Sequence, residues 1–258
     1  MFIRCFDVDF HVQVSGEATA PALLLIHSLG TSTHVWDDQA ASLSGRYRVI
    51  RLDLRGHGLT TIVPGPGSIA QYARDTIAVL TALGVTHAHV AGLSIGGLVA
   101  QSIAAQAPSL VRSLVLCDTA MVIPPADGWH ARAALVRRDG MAALADAVMQ
   151  RWVTPGFMNT PAAHGLRAML LRTPAEGYAG AAEAIAAADL TASTSTLTVP
   201  TLVIVGDQDQ ATPVAFAEAM HAAIKGSQLV VLPGAAHIPT IEFPADVTSA
   251  MSDFLSSH

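Results

Sequence analysis

The sequence predicts an α/β protein with a doubly wound, mainly parallel sheet that carries an inserted helical cap. Short apolar runs bounded by turn residues recur along the 258-residue chain, as is typical of strands buried on both faces of a parallel sheet. Helical patterns separate most of these runs, but the alanine-rich residues 119–196 interrupt the alternation. We therefore expect residues 1–118 and 197–258 to form the core and residues 119–196 to form the cap.

Two β-type stretches open the chain within residues 3–14, and the turn Asp7-Val8-Asp9 between them predicts a hairpin. Later strands are expected at residues 22–26, 47–52, 87–93, 111–117, 201–205 and 228–232. Apolar residues at three- and four-residue spacing predict helices over residues 69–80 and 95–103. A proline in the first turn predicts a closing helix over residues 244–256. Cap helices are expected at residues 131–137, 141–150, 168–172 and 179–188.

The charge balance excludes several classes of partner. With a formal net charge of −6, the chain has no basic stripe to neutralise phosphates, so we expect no nucleic-acid partner. Its apolar runs are far shorter than the ~20 residues of a membrane-spanning helix, so no membrane partner is expected either. The same acidity means that an anionic substrate needs a local cationic pocket, which draws attention to the arginines.

Cysteine usage and the first residues indicate a reducing compartment. Cys5 and Cys117 lie far apart, each within a strand-like apolar run, which predicts buried reduced thiols rather than a disulfide. No Cys/His cluster has the spacing of a metal site, so a structural zinc is not expected. The first residues lack the basic and apolar regions of a secretory signal, and we therefore expect a cytoplasmic protein.

The pentapeptide Gly92-Leu93-Ser94-Ile95-Gly96 is typical of a nucleophile elbow. It directly follows a predicted strand and directly precedes a predicted helix. Such a turn is so tight that its flanking positions tolerate little but glycine, and it leaves the serine hydroxyl exposed at the helix N-terminus. Ser94 is therefore the candidate nucleophile.

A serine hydroxyl needs a base to take its proton, and the base needs a third group to orient it. In folds with such an elbow, the acid and then the histidine follow the serine along the chain. The loop after residues 201–205 offers two carboxylates, Asp207 and Asp209, and either could orient the base while the other caps the turn. The loop after residues 228–232 presents His237. Both loops lie at carboxyl ends of predicted strands, where ligands bind in open α/β sheets.

Other histidines are expected to have no catalytic role. His27 and His57 lie in loops near the site but precede the serine, so we expect them to be hydrogen-bonded scaffolding. His87 and His89 flank a strand and are expected to be structural or to face solvent. No catalytic context surrounds His11, His130, His164, His221 and His258.

Two backbone N–H groups are candidates for an oxyanion hole. Negative charge builds on the carbonyl oxygen when a serine attacks an acyl carbon, and each pre-aimed N–H donor stabilises it by ~3 to 4 kcal/mol. The loop His27-Ser28-Leu29-Gly30, which follows the strand at residues 22–26, can supply the N–H of Leu29. Ile95, the residue after the nucleophile, supplies the other donor.

Together with Arg55-Gly56-His57-Gly58, these motifs resemble the α/β-hydrolase superfamily over nearly the whole chain. A narrower resemblance is to the 3-oxoadipate enol-lactonases. It rests on residues 27–32 with Trp36, residues 114–120, residues 140–148, Arg151-Trp152 and residues 173–178. Because cap sequence varies more between activities than core sequence does, the cap segments are the informative ones.

The resemblance implies an acid and a reaction. Related enzymes carry the acid three residues after the strand-ending glycine, which favours Asp209. The implied reaction is hydrolysis of 3-oxoadipate enol-lactone to 3-oxoadipate through an acyl-enzyme on Ser94, without metal or organic cofactor, in aromatic-compound breakdown. The chain departs from the family pattern at residues 238–242, which predicts an altered pocket floor.

Other functions fit the same core. One alternative is a carboxylesterase, another lactonase or a carbon–carbon bond hydrolase, because the core motifs of these enzymes would look the same. A ligand receptor that keeps the triad is the alternative from a different class. Ser94 excludes enzymes of this fold that use an aspartate nucleophile.

Trp129, Arg132 and Trp152 are candidate substrate-binding residues in the cap. Positions 129 and 132 share one face of a helix, so an indole and a guanidinium could point together into the cleft. Guanidinium binds a carboxylate through paired hydrogen bonds. We therefore predict that Arg132, with the indole N–H of Trp129 or Trp152, binds the carboxylate of an anionic substrate. The alternative is that Trp129 packs between cap and core while the arginines face solvent.

Overall fold

The computed structural model describes residues 1–258, which are built around an eight-stranded mixed sheet. Its strands are β1 (Phe2–Cys5), β2 (Val8–Ser15), β3 (Ala22–Ile26), β4 (Arg48–Leu52), β5 (Ala88–Leu93), β6 (Val111–Cys117), β7 (Thr201–Gly206) and β8 (Gln228–Leu232). They lie in the order β1-β2-β4-β3-β5-β6-β7-β8. The pairs from β4 to β8 are parallel, whereas β1 and β2 form an antiparallel hairpin that joins β4. The predicted fold class, hairpin and strands are confirmed.

Burial follows the position of each strand in the sheet. The inner strands β3, β5 and β7 are buried at every residue, because both faces of the sheet are covered. The expectation that β8 is buried on both faces is wrong. Val231 is 41% exposed, since β8 is an edge strand that pairs with β7 alone.

Eleven α-helices accompany the sheet. They are α1 (Asp37–Leu43), α2 (Ile69–Ala82), α3 (Ile95–Gln106), α4 (Ala126–Asp139), α5 (Ala145–Trp152), α6 (Pro161–Arg172), α7 (Ala175–Ala186), α8 (Thr191–Thr194), α9 (Val214–Ala223), α10 (Pro239–Glu242) and α11 (Pro244–Leu255). The predicted helices of the core are confirmed as α2, α3 and α11, whereas the periodicity gives no prediction for the shorter α1, α9 and α10. No helix combines the length and the apolar character needed to span a membrane.

The helices α4 to α8 form the insert between β6 and β7, and α4 packs against α7. Three of them begin earlier than predicted, α4 at Ala126, α6 at Pro161 and α7 at Ala175. The start of α6 is set by Thr160, whose hydroxyl accepts from the Ala163 N–H. The single helix predicted over residues 141–150 is wrong, because a 3₁₀ turn at Met141–Ala143 precedes α5.

The insert contacts the core where backbone approaches backbone. Gly177 in α7 lies against Gly56 in the loop after β4, and a Cβ on Gly177 would come within 1.9 Å of the Gly56 carbonyl oxygen. Near the other end of the insert, the Ile238 N–H donates to the Trp152 carbonyl at 2.9 Å. These contacts place the insert over the loops that follow β4 and β8.

We expect Gly177→Ala to lower the free energy of unfolding by about 1 to 3 kcal/mol, because its methyl group would overlap the Gly56 carbonyl. Gly165→Ala in α6 is the matched control, since nothing lies within 4 Å of the added Cβ. It should raise the free energy of unfolding by about 0.5 to 1 kcal/mol, because alanine loses less backbone entropy on folding. Urea unfolding followed by circular dichroism measures both variants. If both substitutions change the free energy of unfolding in the same direction, the Gly56–Gly177 contact does not constrain the insert.

Candidate active site

The turn between β5 and α3 holds Ser94 at φ +58°, a backbone conformation that few side chains adopt. Its glycines leave no room for side chains. A Cβ on Gly92 would come within 2.1 Å of the Gly96 carbonyl oxygen, and one on Gly96 would come within 2.3 Å of the Ile26 carbonyl oxygen. The Ser94 N–H donates to the Cys117 carbonyl at 3.0 Å. The turn therefore fixes the serine hydroxyl at the carboxyl end of the sheet.

A chain of hydrogen bonds links Ser94 to His237 and Asp209. His237 Nε2 lies 3.0 Å from Ser94 Oγ, and His237 Nδ1 lies 2.8 Å from Asp209 Oδ2. The three residues come from the loops after β5, β8 and β7, and all of them are buried. With Nδ1–H donated to the carboxylate, Nε2 is free to accept a proton from the serine hydroxyl. This triad-like arrangement can therefore generate a serine nucleophile.

Asp209, rather than Asp207, faces the histidine. Asp209 Oδ1 accepts two backbone N–H hydrogen bonds, and its Oδ2 accepts from the Thr212 hydroxyl at 2.6 Å. Burial acts to raise the pKa of Asp209, but the charge of His237 and the hydrogen bonds from His237 and Thr212 hold that pKa below its usual range. Asp207 is exposed and accepts from the Gly234 N–H at 2.7 Å. Of the two carboxylates that the sequence leaves open, Asp209 is thus the one that contacts the histidine, whereas Asp207 holds the loop after β8.

Two backbone N–H groups near Ser94 are available for a ligand. The N–H of Leu29 has no acceptor in the chain, and the N–H of Ile95 belongs to the first residue of α3, where a helix leaves its donors unpaired. The loop that presents Leu29 is held by His27, whose Nδ1 donates to the Ser28 carbonyl at 2.7 Å. The arrangement can supply both donors of an oxyanion hole.

His27 and His57 support the loops beneath the site. His27 Nε2 accepts from the Leu54 N–H at 2.9 Å while Nδ1 donates, which requires the neutral ring. Burial lowers the pKa of His27 and lowers that of His57 to about 3. His89 is likewise buried, and burial lowers its pKa to about 4. These histidines are therefore neutral parts of the scaffold.

A narrow cavity leads from Ser94 and His237 to the insert, where it is lined by Trp129, Arg132, Val148, Arg151, Trp152 and Tyr178. Its volume is about 30 Å³. A second cavity of about 500 Å³ shares four lining residues with it, namely Trp129, Arg132, Arg151 and Ala211. The two cavities therefore meet at these shared side chains.

The three cap residues predicted to bind substrate all reach the cavity beside Ser94. The Arg132 guanidinium lies over the Trp129 ring, 4.4 Å from its centroid. The expectation that the Trp129 indole N–H is free for a substrate is wrong, because it donates to the Ile123 carbonyl at 2.7 Å. Trp129 can therefore orient Arg132 by stacking, and Trp152 remains the candidate indole donor.

Sequence reasoning missed Glu242, which joins the histidine loop to the insert. Its Oε2 accepts from the Ala236 N–H at 3.3 Å, and its Oε1 accepts from the Thr154 N–H at 3.1 Å and from the Thr154 hydroxyl. The predicted altered pocket floor at residues 238–242 is wrong, because none of these residues lines either cavity. No local motif marks Glu242, since its partners are brought to it by the fold.

Comparison with known proteins identifies the family. The model of the alpha/beta hydrolase family matches residues 23–250, and the chain belongs to that family. It is 38% identical over 240 residues to 3-oxoadipate enol-lactonase 2 of Acinetobacter baylyi. The aligned region covers 92% of this chain and 90% of that protein.

Solved structures give the same relationship. The enol-lactonase from Burkholderia xenovorans LB400 superposes with a TM-score of 0.96 at 36% identity, covering 99% of this chain and 100% of that one. A thermophilic esterase from Thermogutta terrifontis, solved with malate bound, gives a TM-score of 0.92 at 32% identity, covering 97% and 94% of the two chains. The chain is therefore an alpha/beta hydrolase related to enol-lactonases.

We expect Asp209→Asn to lower kcat for ester hydrolysis by about a thousandfold or more, because the amide no longer favours the histidine tautomer with a free Nε2. Asp207→Asn is the matched control on the same loop and should leave kcat within about threefold of the unmodified protein, as for other surface changes. Steady-state kinetics on an aryl acetate compare the two. Equal losses, or a larger loss in Asp207→Asn, would contradict the assignment of Asp209.

Proposed function

We propose that this protein is a serine hydrolase that opens a small carboxylated enol-lactone, converting 3-oxoadipate enol-lactone to 3-oxoadipate in the breakdown of aromatic compounds. The main observation behind the proposal is that the Ser94–His237–Asp209 chain and two arginines without acidic partners, Arg132 and Arg151, meet at one cavity. The enol-lactonases to which the chain is similar support a lactone as the substrate.

In the first half of the reaction, Ser94 Oγ attacks the lactone carbonyl carbon while His237 Nε2, 3.0 Å away, takes the hydroxyl proton. The ring C–O bond then breaks, and His237 gives this proton to the departing enol oxygen. The opened chain stays on Ser94 as an ester, and its enol tautomerises to the ketone. Asp209 stabilises the imidazolium that forms between the two transfers.

Water completes the reaction in the second half. His237 takes a proton from the water as its oxygen attacks the acyl carbon, and it returns the proton to Ser94 Oγ as the acyl–oxygen bond breaks. The product is the free 3-oxo acid. In both halves the carbonyl oxygen becomes negative, and the N–H groups of Leu29 and Ile95 stabilise it by ~3 to 4 kcal/mol each.

The arginines of the insert differ in what they contact. Three of them pair with acids: Arg137 with Glu176 and Glu183, Arg138 with Asp139, and Arg167 with Asp146. Arg172 has no acidic partner but lines a different cavity, beside Asp53. Arg132 and Arg151 line the cavities and have no acidic partner. In a chain with a net charge of −6, two unneutralised cations beside the nucleophile attract an anion locally. We assign the substrate carboxylate to Arg132, with the indole N–H of Trp152 as a second donor.

The two cavities suggest a path for the substrate. The space beside Ser94 is much smaller than the adjoining cavity of about 500 Å³. The stacked Trp129 and Arg132 line both cavities. A shift of these side chains would widen the path to Ser94, and a substrate carboxylate that binds Arg132 more tightly in the shifted position would favour that shift.

Turnover of 3-oxoadipate enol-lactone by the purified protein tests the proposal. We expect a higher kcat/KM for this lactone than for a neutral aryl ester. Ser94→Ala should lower kcat by about 10⁵-fold or more, while the free energy of unfolding changes by less than about 1 kcal/mol. Turnover by Ser94→Ala at the level of the unmodified protein would remove Ser94 from the mechanism.

We expect Arg132→Met to lower kcat/KM for the anionic lactone by about ten- to hundredfold, since a charge-assisted contact is worth about 1.5 to 3 kcal/mol. The same change should spare a neutral aryl ester. Arg138→Met is the control in the same helix and should affect neither substrate, because Arg138 pairs with Asp139 at the surface. Equal losses on both substrates would mark Arg132 as structural, and no loss on either would place it outside the substrate site.

A carboxylesterase is the second candidate function. The similarity to the esterase from Thermogutta terrifontis favours it, and the core chemistry would be the same. The two candidates differ in their preferred substrate, because an esterase without a carboxylate site should turn over neutral aryl esters faster than the lactone. A higher kcat/KM for aryl esters would therefore replace the lactonase proposal.

A further inference from the structure

Asp118 is a buried carboxyl group that the mechanism above does not use. It directly follows β6, has no exposed surface, and adopts φ +43°, a conformation that favours glycine and asparagine. Its Oδ1 accepts from the Gly206 N–H at 2.9 Å, and its Oδ2 accepts from the Cys117 thiol at 3.2 Å. Neither contact supplies a full positive charge, so an ionised Asp118 would be a buried anion without a cation of its own.

A second buried carboxyl group lies beside it. Oxygen atoms of Asp118 and Asp209 and a ring nitrogen of His237 all lie within 4.8 Å of one another. Asp209 has the histidine, two backbone N–H groups and a hydroxyl as partners, whereas Asp118 has one backbone N–H and a thiol. Two adjacent carboxylates in a dry site do not both ionise, and the one with fewer donors keeps the proton.

We propose that Asp118 is a neutral carboxylic acid that donates a hydrogen bond to Asp209 and so positions the acid that orients His237. The proposal rests on the hydrolase function proposed above. It makes Asp118 a positioning residue, because it touches neither the substrate nor the reacting atoms. Burial first, and the neighbouring charge of Asp209 second, raise the pKa of Asp118 well above its usual range.

The contacts of Asp118 explain how a side chain at this position can hold Asp209 in place. Through Gly206, the last residue of β7, it ties the end of β6 to the start of the loop that carries Asp209. The titratable groups that face it are Asp209, His237 and Cys117. Burial, together with the negative charge of Asp209, raises the pKa of the Cys117 thiol, which leaves Asp118 as the acidic donor next to Asp209.

Two substitutions separate this role from simple packing, because both asparagine and glycine accept a positive φ. Asp118→Gly removes the donor and should lower kcat for an aryl acetate by about tenfold or more, with KM within about twofold. Asp118→Asn can accept from Gly206 through its oxygen and donate to Asp209 through its amide, so it should recover most of that loss. A glycine variant with unchanged kcat would overturn the positioning role.

The pH profile of Asp118→Asn tests where the proton lies. If Asp118 is neutral, the acid limb of kcat/KM stays where it is in the unmodified protein. If Asp118 is ionised, the substitution removes a negative charge within 4.8 Å of the His237 ring, the imidazolium is less stable, and the acid limb moves to lower pH. That shift would overturn the proposal.

Infrared spectroscopy gives a readout that is independent of turnover. At neutral pH the protein should show the carbonyl stretch of a protonated carboxylic acid, lost in Asp118→Asn and retained in Asp207→Asn. If the protein shows this band but turns over neither lactone nor ester, the proposed hydrolase function is wrong, while the neutral state of Asp118 is still supported. Absence of the band, or a metal ion that co-purifies in stoichiometric amount and is lost in Asp118→Asn, would overturn the proposal itself.

Discussion

Ser94 is held at a positive φ by a turn in which backbone groups approach more closely than any side chain would allow. The approach of Gly96 to the Ile26 carbonyl fixes the distance between the elbow and the loop that carries Leu29. The Thr119 hydroxyl donates to the Ser94 carbonyl at 2.7 Å, which ties the same turn to the end of β6. The Ser94 hydroxyl, the loop of Leu29 and His237 therefore meet because one strained turn places the hydroxyl.

Electrostatics then decides which groups in this crowded site are charged. Burial disfavours every ion, so Asp209 stays ionised only because His237, a hydroxyl and backbone N–H groups surround it. His27 and His57 have no such support and remain neutral. Asp209 is thus a buried anion that its partners stabilise, and His237 lies between this anion and the Ser94 hydroxyl.

The sequence predicts the inner strands well because their apolar runs report burial on both faces, and it predicts the elbow because few turns need glycine on both sides of a serine. It fails where the cause is tertiary. The exposure of β8 depends on its place at the sheet edge. The indole N–H of Trp129 is taken by a carbonyl six residues earlier in a bent connection. Alanine-rich helices give weak periodicity, so the starts of α4 and α6 are missed, and at α6 the Thr160 cap sets the start instead.

Within the site, the choice between Asp207 and Asp209 also depends on tertiary structure that the local sequence does not show. Two residues apart, both carboxylates suit a turn after β7, and the difference between them is that one faces solvent and the other faces His237. Asp118 is harder still, because nothing near it in the chain indicates that β7 will lie beside β6 and bring a second carboxyl group within 4.8 Å.

The site residues of the core are held more firmly than the arginines of the insert. The hydrogen bonds of Ser94, His237 and Asp209 are buried and supported by backbone groups, so their geometry does not depend on the substrate. Arg132 and Arg151 are long, partly exposed side chains without acidic partners, and such groups rearrange more easily than the buried triad. Under the proposed function, the insert side chains that line the cavity select the acyl group, and the core residues carry out the bond cleavage. One core can therefore serve both esters and lactones.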